Sequence, residues 1–323
     1  MADNGHRSME GSEIIPEIPK EEVTIIIPTL NEAKGIGKVI DAFKEQGYTN
    51  IFVIDGNSQD RTREIAKEKG ATVVVQSGRG KGQAVAEAFS LVNTDVVVLI
   101  DGDGTYDPHD IEKMLEPIRK GIADHVIGNR LINYEKGAFT RLNVIGNKIL
   151  NWLFRVTYGV ELYDILSGYR ALTREVYKSV NLTKHGFEVE TELTVETLAN
   201  GFKIVEVPIN YYKRHGETKL SPLGDGLKIG RAIIEMLVRY NPAKYLYFLG
   251  GLFLLLGLII GTYVVVEWFK HVSHDLLAIV TAILVLGGIQ FMAIGFVMSY
   301  LFKASVEIKR GIRGVKTKRR NRQ

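Results

Sequence analysis

Two aspartates that follow a short apolar run are the residues of this chain best suited to chemistry. Asp101 and Asp103 alternate with glycines directly after the apolar residues 96–100. A β-branched run of this length predicts a strand buried on both faces, and ligands bind at the carboxyl ends of such strands. Paired carboxylates on one turn suit Mg²⁺ or Mn²⁺. We therefore expect Asp101, Asp103 and the hydroxyl of Thr105 to hold a divalent metal and, through it, a diphosphate; a plain Asp-Gly turn is the alternative.

The elements that must position these aspartates alternate between strand and helix. Strands are predicted over residues 23–28, 51–55, 71–76, 96–101 and 124–128, and helices over residues 31–46, 60–69, 81–92 and 108–120. This alternation predicts a mostly parallel sheet with helices wound on both faces. Two further short strands are expected within residues 202–212, with Pro208 between them.

A dehydrogenase-type Rossmann domain does not fit the details of this pattern. Its glycine fingerprint would follow the first strand, where this chain has residues 28–32, Pro-Thr-Leu-Asn-Glu. The glycine-rich loop over residues 78–82 follows the third predicted strand and lacks the spacing of a P-loop. Its basic side chains and backbone donors suit a phosphate, and a flexible turn is the alternative.

The composition argues against several other classes of function. A net charge of +4 over 323 residues does not suggest a chain that binds nucleic acid, and no such partner is expected. The absence of cysteine excludes disulfides and thiolate metal sites. The seven histidines lack the HExxH spacing of a zinc enzyme. The polar start of the chain, without an apolar core, predicts no signal peptide.

Four ordered segments together resemble family 2 glycosyltransferases of the GT-A fold. They are residues 26–32, residues 53–62, the tripeptide at 80–82 and the Asp-Gly-Asp at 101–103. The resemblance implies that the first two segments hold the nucleotide and that the last holds the metal and diphosphate. The implied nucleotide-sugar contacts are Pro28, Thr29, Asn31, Glu32, Asp55, Asn57, Ser58, Lys81, Asp101, Gly102 and Asp103.

Three later segments resemble the polyprenyl-phosphate branch of that family. They are residues 128–130, 164–170 and 214–220. Residues 76–78 and 101–106 are most similar to archaeal members that charge dolichyl phosphate for N-glycosylation. The resemblance implies an inverting transfer of a hexose from a nucleotide diphosphate sugar to dolichyl phosphate. Thr105 stands where the mannose synthases usually have Gln. UDP-glucose or UDP-N-acetylglucosamine is therefore the favoured donor, with GDP-mannose as the alternative.

A phosphate acceptor changes what the chemistry requires. A phosphate monoester has a second pKa of about 6, so it is a dianion near neutral pH and needs no general base. It needs cations that hold two anionic substrates together, and Arg and Lys suit this role. The acceptor-phosphate residues implied by the resemblance are Arg130, Ser167, Arg170, Arg214 and Lys219. The implied catalytic residues are Asp103, Arg130, Arg214 and Lys219.

Two alternatives stay open at this point. Glu188, Glu190 and Glu192 alternate before a predicted helix, and one of them could be a base in other branches of the family. Here we expect a supporting or helix N-terminal role. The second alternative, from another class of function, is that the chain is a catalytically silent protein that anchors a glycosylation complex. The intact pair of aspartates argues against this alternative.

The C-terminal third has the composition of a membrane anchor. Residues 245–266 and 276–302 carry no charge and are long enough to cross about 30 Å of hydrocarbon. Amphipathic segments at 142–158 and 223–240 are expected to lie on the bilayer and bring a lipid-held phosphate to the metal site. Ordinary packing of such a helix against the core is the alternative. Basic residues flank both ends of the two spans. The catalytic domain and both termini are therefore expected on the cytoplasmic side of the cell membrane.

The predicted chain is an α/β protein: a GT-A (Rossmann-like), mostly parallel sheet domain followed by interfacial helices and two transmembrane helices. Its parts are a flexible N-terminal segment (1–22), a catalytic domain (23–222), a juxtamembrane amphipathic helix (223–243), two transmembrane helices (244–302) and a basic cytoplasmic tail (303–323). The expected partners are a nucleotide sugar, dolichyl phosphate and the lipid bilayer, and a homo-oligomer is left open.

Overall fold

The computed structural model describes residues 17–214, 222–240 and 242–320. The strands are β1 (Val23–Thr29), β2 (Ile51–Asp55), β3 (Thr72–Val75), β4 (Val96–Leu99), β5 (His125–Tyr134), β6 (Arg170–Thr173) and β7 (Ile204–Tyr211). The helices are α1 (Ile36–Glu45), α2 (Thr62–Glu68), α3 (Lys81–Leu91), α4 (Ile111–Arg119), α5 (Arg141–Tyr158), α6 (Arg174–Ser179), α7 (Val189–Ala199), α8 (Pro222–Tyr240), α9 (Pro242–Phe269) and α10 (Asp275–Arg320).

Seven strands form one sheet in the order β3-β2-β1-β4-β6-β5-β7. All its pairs are parallel except those of β6, which lies antiparallel between β4 and β5. The predicted mostly parallel sheet is confirmed. The strand order reverses between β1 and β4, and the crevice at such a switch point is where α/β sheets bind ligands. The turn that carries Asp101 and Asp103 leaves β4 at this point.

The sheet is covered on both faces, as predicted. Ile25 and Ile27 of β1 pack in one cluster with Phe43 of α1, whereas Ile26 packs in another with Val85 of α3. Successive side chains of a strand point to opposite faces, so a strand between two helical layers is mostly apolar on both faces. All seven residues of β1 are buried, and the sheet therefore gives the loops at its carboxyl edge a rigid base.

Two predicted elements differ from the structure. Residues 202–212 hold one strand, β7, rather than two, and Pro208 fits within it because β7 is an edge strand that pairs only with β5. The first helix begins at Ile36 rather than at residue 31, because Asn31 has a left-handed backbone with φ of 52°. Residues 303–320, within the predicted basic tail, are helical and continuous with the second span, since α10 runs through them to Arg320.

The last two helices are long and apolar enough to cross a membrane. Their apolar windows have a mean hydropathy of 2.4, and only 11% and 6% of these windows are buried within the protein. The two helices pack closely at Gly250 and Gly288, where an added Cβ would lie 2.9 and 3.0 Å from the opposite carbonyl oxygen. Small residues permit such an approach between membrane helices.

The amphipathic helices α5 and α8 pack against each other beside the sheet. Phe154 of α5 is buried in one cluster with Ile229, Ile233 and Met236 of α8. Other apolar side chains of the pair, such as Ile149 and Leu227, remain exposed. The two helices therefore connect the sheet domain to α9, and they keep an apolar surface available.

Candidate active site

One cavity of about 2010 Å³ lies at the carboxyl edge of the sheet. Its polar arm is lined by the loops after β1, β2 and β3 and by Asp101 and Asp103. Its apolar arm runs between α5 and α8, past Ile149, Leu153 and Leu227. The cavity therefore joins a carboxylate-bearing crevice to an apolar trough.

The loops at the polar end are held together by the buried carboxylate of Asp55. Its Oδ2 accepts a hydrogen bond from the backbone of Ser58 (2.8 Å), and its Oδ1 accepts from Ser58 Oγ (2.5 Å) and Thr29 Oγ1 (3.2 Å). Ser58 Oγ in turn accepts from the backbone of Asn31 at 2.8 Å. Asp55 and Ser58 are fully buried, so they position the wall of the cavity.

Four of the predicted nucleotide contacts at this end do line the cavity, namely Pro28, Thr29, Glu32 and Asn57. Asn31 lies outside it, because its side chain accepts a hydrogen bond from the backbone of Gln59 at 2.7 Å. The structure therefore separates the predicted set into residues that reach the cavity and residues that shape it.

Lys81 bridges two carboxylates that line the cavity. Its Nζ lies 2.5 Å from Asp101 Oδ1 and 2.7 Å from Glu190 Oε1. Burial alone would lower the pKa of Lys81, but the charges of Asp101 and Glu190 outweigh it and raise the pKa well above its ordinary value. Lys81 is therefore a permanent cation at the start of α3.

The glycines beside Lys81 are explained by packing. A Cβ at Gly80 or Gly82 would overlap the carbonyl oxygens of His185 and Lys184, and the Gly82 backbone donates to His185 O at 3.0 Å. This backbone donor is therefore already used within the protein. Close packing against the loop that carries Lys184 and His185 explains why residues 80 and 82 are glycines.

Asp103 is fixed by its own turn and faces Arg214. Its Oδ1 accepts hydrogen bonds from the backbone (3.0 Å) and hydroxyl (2.6 Å) of Thr105. Its Oδ2 lies 3.2 Å from Arg214 Nη1, and Arg214 Nη2 donates to Glu32 Oε1 at 2.5 Å. Thr105 is buried and does not line the cavity. Its hydroxyl positions Asp103 in this structure, and its role as a metal ligand stays a prediction.

Asp101 and Asp103 fit a divalent metal as two of its oxygen ligands. Both carboxylates line the cavity, and each is paired in this structure with a cation that a bound metal would replace. Within residues 17–214, 222–240 and 242–320, no group of three or more acidic or histidine side chains could hold a metal alone. Substrate oxygens and water would complete the coordination, as is usual for Mg²⁺.

Arg130 reaches the cavity from β5 and is held rigidly. Its Nε and Nη2 donate to the two oxygens of Asp164 at 2.9 and 2.7 Å, and its guanidinium lies over the rings of Phe139 and Tyr211. Burial opposes its charge, but Asp164 outweighs that effect and raises the pKa of Arg130 well above the ordinary value. Arg130 is therefore an oriented cation on the cavity wall.

Arg170 does not reach the cavity, which corrects its predicted contact with the acceptor phosphate. It is fully buried and donates to Ser167 O (2.8 Å), Ile165 O (2.6 Å) and Thr194 Oγ1 (2.9 Å). Burial lowers the pKa of Arg170 to about 10. Arg170 thus ties down the turn that presents Asp164 to Arg130.

The other two predicted acceptor residues are Ser167 and Lys219. Ser167 is fully buried and does not line the cavity, so the same correction applies to it. Lys219 lies outside the described residues. Of the predicted acceptor set, Arg130 and Arg214 are the two that the structure places at the cavity.

Two residues that sequence reasoning missed support Arg130. Glu206 Oε1 accepts from the backbones of Tyr163 and Asp164, each at 2.8 Å, and its Oε2 accepts from Asn129 at 3.0 Å. Burial raises the pKa of Glu206. The hydroxyl of Tyr106 accepts from the backbone of Gly168 at 2.7 Å. No local pattern marks Glu206, and although Tyr106 stands in the segment that begins at Asp101, the sequence does not show its contact, because each residue acts on a turn far away in sequence.

Known proteins resemble this chain in sequence. Residues 24–180 match the family model described as Glycosyl transferase family 2. The chain is 43% identical over 279 residues to glycosyltransferase AglJ from Haloferax volcanii, covering 85% of this chain and 92% of that relative. It is 36% identical over 221 residues to a dolichyl-phosphate hexose transferase of the same organism, covering 67% of this chain and 94% of that relative.

Solved structures agree with the sequence relatives. The fold is similar to that of glucosyl-3-phosphoglycerate synthase from Mycobacterium tuberculosis, crystallised with Mn²⁺, UDP-glucose and phosphoglyceric acid. The TM-score is 0.53 at 26% identity, over 68% of this chain and 79% of that chain. The predicted family and fold class are confirmed. The chain therefore belongs to glycosyl transferase family 2, and it is a glycosyltransferase.

Proposed function

We propose that this enzyme transfers a hexose from a nucleotide diphosphate sugar to dolichyl phosphate at the cytoplasmic face of a membrane. The observation that carries the proposal is the single cavity that joins the Asp101–Asp103 crevice to the apolar trough between α5 and α8. A relative is named a dolichyl-phosphate hexose transferase. UDP-glucose and UDP-N-acetylglucosamine are the leading donors, because a structural neighbour binds UDP-glucose, and GDP-mannose is the alternative.

The donor would lie in the polar arm of the cavity. Asp101 and Asp103 would hold Mg²⁺ or Mn²⁺, and the metal would stabilise the charge that develops on the departing diphosphate. Lys81 and Arg214 are paired with these carboxylates in this structure, and Lys81 would meet the negative charge of the donor diphosphate. A phosphate oxygen of the acceptor then bonds to the anomeric carbon as the bond to the nucleoside diphosphate breaks, which inverts that carbon.

The acceptor needs orientation rather than deprotonation. A phosphate dianion is already a nucleophile, and a cation fixed in direction lowers the cost of bringing it to the anionic donor. Arg130 is such a cation, because Asp164 and two aromatic rings hold its guanidinium. Arg214 lies at the same cavity and contacts Asp103. The two arginines are therefore the proposed acceptor-phosphate ligands.

The decisive experiment compares dolichyl phosphate with dolichol that lacks the phosphate. Purified enzyme supplied with UDP-glucose, UDP-N-acetylglucosamine or GDP-mannose should glycosylate only the phosphate. Arg214→Ala should weaken acceptor use about ten- to hundredfold, since it removes a charged hydrogen bond, and should change donor binding much less. Equal transfer to free dolichol would favour a carboxylate base, and no transfer at all would favour a silent anchoring protein.

The apolar arm is proposed to hold the first part of the lipid chain. Gly146 of α5 and Gly226 of α8 line the cavity, and a Cβ added at either position would meet nothing within 4 Å. The absence of side chains there leaves the trough open between rows of apolar residues. When a prenyl chain is buried against such a surface, the binding free energy becomes more favourable by about 25 cal/mol for each Å² of apolar surface removed from water.

Filling this trough should weaken the lipid acceptor selectively. Gly146→Leu together with Gly226→Leu is expected to raise the KM for dolichyl phosphate about tenfold, since overpacking costs about 1–3 kcal/mol. The affinity for UDP-glucose, measured by calorimetry without acceptor, should be unchanged. Gly311→Leu on α10 is the matched control, because its Cβ would also meet nothing within 4 Å and lies outside the cavity. An unchanged KM in the filled variant would contradict the proposed lipid path.

The membrane arrangement is proposed from the basic flanks of the two spans. The start of α9 and the end of α10 would then lie in the cytoplasm, with the loop between the two helices outside the cell. The division into a catalytic domain over 23–222 and its membrane parts stays a prediction, as does a homo-oligomer.

Single cysteines provide a direct test of this topology, because the chain has none. In intact cells, a membrane-impermeant maleimide should label Ser273→Cys, in the loop between α9 and α10, and should not label Gln323→Cys. After the cells are opened, both should react. Labelling of Gln323→Cys in intact cells would place the tail outside and contradict the arrangement.

A further inference from the structure

One buried carboxylate in the cavity has an oxygen without a partner. Glu190, in the first turn of α7, is only 4% exposed and lines the cavity. Its Oε1 pairs with Lys81, whereas its Oε2 has no hydrogen-bond partner among the described residues. Buried polar atoms are nearly always hydrogen-bonded, so this oxygen is a site prepared for a donor that the chain itself does not supply.

The unpartnered oxygen is a feature of Glu190 alone and is not a general property of acidic residues in the first turn of this helix. Glu192 lies in the same turn and is equally buried. Both of its oxygens are satisfied, since they accept from Thr183 and Lys184 at 2.6–3.0 Å. The protein thus satisfies one acid of the pair internally and directs the other to the cavity.

The position of Glu190 identifies the chemistry of the missing donor. Lys81 Nζ contacts both Glu190 and Asp101, so Glu190 lies close to the proposed diphosphate site. The sugar of a nucleotide diphosphate sugar is bonded to that diphosphate and must lie beside it. Lys81 already supplies a compensating charge, so a neutral hydroxyl satisfies Oε2 without burying another ion.

We infer that Glu190 accepts a hydrogen bond from a hydroxyl of the transferred hexose and selects donors that carry that hydroxyl. The inference rests on the proposed function. A donor without the hydroxyl would leave a buried carboxylate oxygen unpaired, and sites built to bond a hydroxyl reject analogues that lack it. Glu190 is therefore a specificity residue rather than the base that sequence comparison suggests for other branches.

The test uses the donor among UDP-glucose, UDP-N-acetylglucosamine and GDP-mannose that turns over, with its monodeoxy forms. In the wild type, one deoxy form should lose about ten- to hundredfold in kcat/KM, as expected for a hydrogen bond to a charged group. In Glu190→Ala, and partly in Glu190→Gln, the ratio between parent and that deoxy form should fall toward one. Glu188→Gln, at the same helix start but outside the cavity lining, should keep the wild-type ratio.

A role limited to structure or to proton transfer would give a different result. Glu190→Ala would then reduce activity equally for every donor, leave the ratio unchanged and overturn the inference. Affinity for UDP, which lacks the sugar, is a further control and should not change. If the wild type transfers no sugar to dolichyl phosphate, the proposed function fails. In that case, calorimetry without acceptor would measure the affinities for the parent donor and its deoxy form, and their ratio in wild type and Glu190→Ala would still decide the role of Glu190.

Discussion

Asp103→Ala is expected to lose nearly all turnover while the protein keeps its fold. The side chain would hold the metal that stabilises the departing diphosphate, a contribution of several kcal/mol, which corresponds to about a thousandfold or more in rate. Its removal also leaves the hydroxyl of Thr105 without its acceptor. Arg214 keeps its contact with Glu32, so the wall of the cavity should remain. The rate of transfer at saturating donor and acceptor is the measurement, with the thermal midpoint as the check on folding.

Asp95→Asn is the matched control for this variant. Asp95 directly precedes β4, at the opposite end of the strand from Asp101, and its ion pair with Arg174 is half-exposed. Such surface pairs contribute little, so activity should stay near the wild-type level. Chelation with EDTA should abolish wild-type turnover, and added Mg²⁺ or Mn²⁺ should restore it. Full activity of Asp103→Ala, or of the chelated enzyme, would contradict the metal role.

Asp164→Ala is expected to destabilise the protein by about 3–5 kcal/mol, because it leaves a buried guanidinium unpaired. Asp164 is fully buried and holds Arg130 through two side-chain hydrogen bonds. Arg130→Ala should have a similar cost, since it leaves the carboxylate of Asp164 buried without its cation. The measurement is unfolding of the detergent-solubilised enzyme followed by tryptophan fluorescence.

The double variant Arg130→Met with Asp164→Leu separates stability from catalysis. Replacing a whole buried ion pair by apolar residues is often neutral or stabilising, so the double variant should regain most of the lost stability. Its turnover should stay low, because the oriented cation for the acceptor phosphate is missing. Recovery of activity together with stability would show that Arg130 acts only on the fold. Wild-type stability in both single variants would contradict the buried pair itself.

The sequence by itself determined the strands β1 to β5 and the place of the site. Apolar runs long enough for buried strands were readable in β1, β2 and β4, because a strand covered on both faces is mostly apolar along its whole length. Asp101 and Asp103 follow such a run, so their position at the carboxyl edge needed no further information. The two uncharged spans of the C-terminal third could also be recognised from the sequence, since the length and composition that a membrane-spanning helix needs are local properties.

The tertiary structure alone decided which polar residues reach the cavity. Arg130 and Arg170 stand in segments that resemble the family equally well, yet one lines the cavity and the other is sealed in the core beside His125. The direction of a strand side chain depends on the register and neighbours of its strand, and β6 pairs with β4 and β5 only in the folded sheet.

The partners of the remaining site residues were also invisible in the sequence. Glu206 accepts hydrogen bonds from the backbones of Tyr163 and Asp164, which lie 43 and 42 residues away in sequence. Thr105 directs its hydroxyl to Asp103 rather than to the cavity. Glu190 and Glu192 occupy the same turn, and only the packing around them shows that one is satisfied and the other is not. Local pattern sets which elements form and where they end, whereas the pairing of charges depends on contacts between distant segments, which exist only once the chain has folded.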